Sequence, residues 1–132
     1  MSYIPADSDC AAAVKLARGL VGQADGGISI RKHYPDMSVV HTVNNLALVV
    51  WALLSHPDDF SAAIGDVVAA GLDTDCNGAT VGALWGLQDK TIPDFWSTPW
   101  GGNVGLSLAG TDTVNVAELI DRTVAVTVNL TE

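Results

Sequence analysis

Nine apolar residues in a row, "LALVVWALL" at 46–54, set the first limit on this chain. Crossing a bilayer as a helix takes about 20 such residues, so the run is far too short to span a membrane. A segment apolar on nearly every side has no face to turn toward water, and it reads as a helix at the centre of a core. Thr42 stands where an N-cap is wanted, and the helix is expected to run on through "VNNLALVVWALLSH", with Asn45 the last polar position before the apolar stretch.

A central helix needs others around it. In "SDCAAAVKLARGLVG" (8–22), Ser8 or Asp9 can cap, and Val14, Leu16, Ala17, Leu20 and Val21 recur near the helical period, with Gly22 as a stop. "ADGG" at 24–27 reads as a loop, and 28–40 is mixed, with an X-Pro turn in "HYPDMS". Pro57, Asp58 and Asp59 announce a helix over "FSAAIGDVVAAG", closed by Gly71. The next begins near Asp75 and runs through "NGATVGALWGLQ"; its glycines and alanines lower helix propensity but let another backbone pack very close. "TIPDFWSTPWGG" at 91–102 is an irregular connection. The last helix is "NVAELIDRTVAVTVNL", with Asn115 as cap and Glu118 three residues on, a capping-box pattern. No strand of useful length stands out. The expectation is an all-α, compact multi-helix bundle: five helices in a single domain, 1–132.

Charge narrows the partners. Lys and Arg total 6 against 15 Asp and Glu, a formal charge of −9. Binding a phosphate backbone depends on cations that displace counterions, so nucleic acid is excluded as a partner, and an anionic membrane surface is disfavoured for the same reason. The N-terminus shows no basic start followed by an apolar run, and the two cysteines, Cys10 and Cys76, read as free and reduced, so a cytoplasmic protein is expected.

One stretch carries chemistry. "GLDTDCNGATVGALWG" (71–86) places Asp73 and Asp75 on either side of Thr74 at the entrance to a small-residue helix. Carboxylates at i and i+2 can converge where a chain bends into a helix, and oxygen donors suit Mg²⁺ or Mn²⁺. Asp and Thr are also the ordinary capping residues, and a bare D-x-D leaves both readings open.

The succession "HTVNNLALVVWALL", "DDFSAAIGDVVAAGLDTDCNGATVGALWG", "IPDFW" and "VAELIDRT" resembles the C-terminal part of the ADP-ribosylglycohydrolase family, over residues 41–123 at least. That family includes the dinitrogenase reductase-activating glycohydrolases and crystallin J1. Its Gly-x-Asp-Thr-Asp-Thr segment is matched by residues 71–76, with Cys76 where the family usually has a hydroxyl. The resemblance implies a partial form of that all-α fold, and a two-metal Mg²⁺ or Mn²⁺ centre that cleaves the glycosidic bond between ADP-ribose and a protein side chain. It assigns Asp73 and Asp75 as metal ligands; no catalytic residue and no substrate-binding residue is assigned.

Family enzymes also carry a Thr-Asp-Asp metal segment and a Gly-Asp-x-x-Gly-type stretch in an N-terminal half, and residues 1–40 match neither. The paired acids of "HPDDF" (56–60) fall where a helix cap is expected. The chain alone is therefore expected to be a weak or inactive hydrolase, either a fragment awaiting a complementary N-terminal-half chain or a non-catalytic, self-associating helical module. Large exposed apolar patches usually mark an interface, so a homo-oligomer is expected, with the helix at 42–56 and the glycine-lined face of 77–87 as contacts. An ADP-ribosylated substrate follows only if the chain is active.

The remaining candidates are weaker. His33, His41 and His56 have no metal-ligand spacing and read as surface or satisfied histidines, with His41 placed to cap a helix or line a cleft. Trp51 and Trp85 read as core. Trp96 and Trp100, in a loop beside Pro93 and Pro99, read as core covers or as a stacking surface for an adenine.

Overall fold

A computed structural model describes residues 8–131. The chain divides into two compact units, Met1–Ile92 and Pro93–Glu132.

The first unit holds five helices: α1 (Asp9–Gly19), α2 (Gly26–His33), α3 (Thr42–Ser55), α4 (Phe60–Ala69) and α5 (Thr74–Gly86). The apolar run is the centre of it. α3 packs against α1, α2, α4 and α5, and Ala47, Leu48 and Ala52 are fully buried. Each large aliphatic side chain so buried contributes about 1.5–3 kcal/mol. The surrounding helices each turn one stripe inward. Ala13 and Ala17 do so on α1, Phe60, Ala63 and Val67 on α4, and Asn77, Val81 and Trp85 on α5. These spacings of three and four residues are the helical repeat.

Polar ends are closed locally. Ser8 Oγ accepts from the Ala11 N–H at 3.2 Å and Asp59 Oδ1 from the Ala62 N–H at 2.9 Å, ordinary N-caps for α1 and α4. α3 is capped by His41, one residue before the expected Thr42: its Nδ1 accepts from the Val43 N–H at 3.2 Å. Trp51 and Trp85 are core, as their neighbours required, and their indole N–H groups donate to the carbonyls of Leu20 (3.1 Å) and Thr91 (3.3 Å).

Of the segment expected as a loop at 24–27, Ala24 and Asp25 form a turn, but Gly26 and Gly27 open α2. Its two glycines are there for space. A Cβ on Gly26 would overlap the Trp51 indole, and one on Gly27 would come within 2.6 Å of Ala70 Cβ. Of the α5 glycines, Gly78 faces α4, where a Cβ would come within 3.4 Å of Val68 Cγ2, whereas a Cβ on Gly82 or Gly86 would meet nothing within 4 Å.

The second unit contains two 3₁₀ turns (Asp94–Trp96 and Thr98–Trp100), a hairpin of β1 (Asn103–Leu108) and β2 (Thr111–Asn115), and α6 (Val116–Thr131). The hairpin departs from an all-α reading, although the molecule remains mostly helical. β1 and β2 are antiparallel, with Val104 opposite Val114 and a register shift between Gly105 and Leu108. Ala109 and Gly110 make the turn, with Gly110 at φ +81°. Trp100 is 60% exposed and Trp96 half-buried. Asn115 Oδ1 accepts from the Glu118 N–H at 3.2 Å, so the cap foreseen for α6 is formed. Among the described residues no helix is long and apolar enough to cross a membrane.

Candidate metal centre

The connection from α4 to α5 reverses direction in two residues with left-handed backbone, Gly71 (φ +85°) and Leu72 (φ +63°). Glycine adopts that region freely; for leucine it costs about 1–3 kcal/mol, which the surroundings must hold in place. They do so from two sides. Arg31 Nη1 donates to the Ala70 carbonyl at 3.3 Å just before the reversal. Asn45 Oδ1 accepts from the Asp73 N–H at 3.2 Å just after it.

Asn45 is the hub of the site. It is 9% exposed and Asn77 3%. Its Oδ1 also accepts from Asn77 Nδ2 at 2.7 Å, and its Nδ2 donates to the carbonyls of Val39 and His41, both at 2.8 Å. One buried amide thus ties the loop before α3 to the first turn of α5. Sequence reading passed over this pair because the two residues lie 32 apart. The available signal was two adjacent asparagines opening an otherwise apolar helix.

On this support the side-chain donor atoms of Asp73, Asp75 and Cys76 lie within 4.8 Å of one another. Asp73 is half-buried; Asp75 and Cys76 are exposed. Asp73 occupies the N-cap position of α5, yet its carboxylate makes no capping bond to the helix. It differs in this from Asp59, which caps α4. Hydrogen bonding to Asp73 and the charges of Asp73 and Asp75 push the Cys76 thiol pKa above its ordinary value.

Asp73, Cys76, Asn77 and Thr80 also line a groove of about 390 Å³, whose opposite wall is the apolar side of α3 at Leu46, Val49 and Leu53. That volume is in the range of small-molecule clefts.

The histidines are engaged elsewhere. His41 caps α3, His56 Nε2 meets Asp66 Oδ2 at 2.7 Å, and His33 stacks edge-on against Tyr34.

The family model described as ADP-ribosylglycohydrolase matches residues 1–127. The chain belongs to the ADP-ribosylglycohydrolase family. The match reaches beyond residues 41–123, where the motifs lie, and takes in the first 40 residues as well. Neither the curated proteins nor the solved structures gave a match. Metal dependence is general in this ADP-ribosylglycohydrolase family, and the donor set at the start of α5 has the chemistry for a divalent ion: two carboxylates and one thiol, brought together at a helix entrance.

Proposed function

We propose that Asp73 and Asp75 are metal ligands of an ADP-ribosylglycohydrolase-type centre, which serves hydrolysis of the glycosidic bond between ADP-ribose and a protein side chain. The observation that carries this reading is the Asp73 carboxylate. It sits at an N-cap without capping, held by Asn45 through its own backbone N–H and within reach of Asp75 and Cys76. The resemblance implies Mg²⁺ or Mn²⁺. A bound cation would supply Lewis acidity and a more acidic water. The chain's own part is to hold Asp73, through its backbone N–H on Asn45, in the wall of a groove that can receive substrate, with Asp75 within reach of the same point.

Two-metal hydrolysis takes carboxylates from separate segments. Among the described residues, Asp73, Asp75 and Cys76 form the single group of three or more candidate ligands. The chain by itself is therefore a weak or inactive hydrolase, and a complementary chain carrying the other donors would raise its activity. Isothermal titration with Mn²⁺ tests the ligand assignment. Binding is expected to vanish in the double variant Asp73→Asn, Asp75→Asn; retention of parental affinity there would falsify it.

A second reading is a self-associating, non-catalytic module. Apolar side chains left in water favour it, among them Val40 at 65% and Leu87 at 80% exposure. Light scattering separates the two: a stable oligomer that releases no ADP-ribose from ADP-ribosyl-arginine under any divalent ion supports the module, whereas a hydrolysing monomer refutes it.

A further inference from the structure

We propose that the thiol of Cys76 makes this centre prefer a borderline or soft divalent ion, Zn²⁺, Co²⁺ or Cd²⁺, over Mg²⁺. The inference rests on the reading of Asp73 and Asp75 as ligands and narrows it to a class of ion. Family membership supplies the expectation of a metal; the choice of metal is argued from this chain's own donors.

Cys76 lies in the first turn of α5, and its sulfur is one of three donor atoms within 4.8 Å of one another. Bonds to zinc run about 2.0–2.2 Å from carboxylate oxygen and about 2.3 Å from sulfur, so modest side-chain rotation brings all three donors onto one ion. The thiol is exposed, so that rotation disturbs no core packing. As the sulfur–metal bond forms, the thiol proton passes to solvent.

Mg²⁺ demands oxygen donors in near-octahedral array and gains nothing from sulfur. With Mg²⁺ the centre offers two carboxylates only. With Zn²⁺, Co²⁺ or Cd²⁺ it offers three ligands, one of them the donor these ions favour most. A serine in place of Cys76 would narrow the preference by removing the soft donor.

The test uses the full chain with Cys10→Ser, so that any sulfur signal reports Cys76. Metal-free protein is titrated with CoCl₂ and CdCl₂ while the ultraviolet sulfur-to-metal charge-transfer band is followed. Zn²⁺ and Mg²⁺ affinities are measured by calorimetry, and circular dichroism verifies the fold of each variant. The expected result is a charge-transfer band that is absent from Cys76→Ser, with Zn²⁺ affinity at least about tenfold weaker in that variant and Mg²⁺ affinity within about threefold of the parent. Zn²⁺ affinity unchanged in Cys76→Ser, without a sulfur band in the parent, overturns the preference; if Asp73→Asn, Asp75→Asn still abolishes binding, the carboxylate assignment survives alone. Should no ion bind, or should the double carboxylate variant bind as the parent does, both ideas fall together.

Discussion

The side-chain amide of Asn77 donates to Asn45 Oδ1 at 2.7 Å, joining the first turn of α5 to the first turn of α3 through two buried asparagines. The other hydrogen bonds of the Asn45 side chain lie within 3.2 Å, to the backbone of Val39, His41 and Asp73 and to the side chain of Asn44. Asn45→Leu therefore strands a buried Asn77 amide and the Asp73 N–H at once. Each orphaned group costs about 1–3 kcal/mol, so a loss of about 2–6 kcal/mol is expected in urea unfolding. Asn77→Ala should cost less. The two substitutions together should fall short of their sum, because each removes the same bond. Strict additivity would show that the pair is not coupled.

Asp59 and Asp73 occupy equivalent helix-start positions but do different things. Asp59 caps α4, so Asp59→Ala should cost about 1 kcal/mol. Asp73 makes no such bond to α5. Asp73→Ala should leave metal-free stability within about 0.5 kcal/mol of the parent, the range of an ordinary surface change. Matched denaturation curves of the two variants decide the point. A loss at Asp73 as large as that at Asp59 would return Asp73 to a capping role.

The glycines make an opposed pair of tests. Gly27→Val would drive a branched side chain into Ala70, and also toward Trp51, whose ring is 3.2 Å from the added Cβ. Overpacking of this kind costs about 1–3 kcal/mol. Gly82 lies inside α5 with open space around its Cα, so Gly82→Ala should stabilise by about 0.5–1 kcal/mol through helix propensity alone. Thermal melts that moved in the same direction for both would contradict the packing described here.

These contrasts show which features were legible in the sequence. α3 could be read because nine apolar residues leave no other solution, and Asp73 and Asp75 because a D-x-D at a helix entrance is local. α2 was hidden because its two opening glycines have the composition of a loop; they are helical because Trp51 and Ala70 leave no room for a side chain. β1 was legible, since Val104, Leu106 and Leu108 alternate with Asn103, Gly105 and Ser107, but the hairpin was passed over because the run is short, β2 offers Val114 alone as an apolar partner, and nearly every position is exposed. "TVAVTVNL" alternates like a strand yet lies within α6, behind the Asn115 cap. The Asn45–Asn77 bond depends on the packing of α3 on α5, and the adjacent asparagines at 44 and 45 signalled a polar contact without naming its partner.

Cys76 offers a test of the site that needs no metal. Its thiol lies beside the Asp73 and Asp75 carboxylates, and hydrogen bonding to Asp73 together with both charges favours the protonated form and raises the pKa. Alkylation requires the thiolate, so in metal-free Cys10→Ser protein the iodoacetamide rate should rise with pH to a midpoint above the ordinary thiol value. Asp73→Asn removes the anionic acceptor and one of the two charges. The midpoint should then move to lower pH, and the rate at pH 8 should increase. Asp75→Asn should shift it in the same direction but less, because Asp75 acts on the thiol only through its charge. A midpoint unmoved by Asp73→Asn would mean that the thiol and the Asp73 carboxylate do not meet, and the three-donor arrangement at the start of α5 would be lost with it.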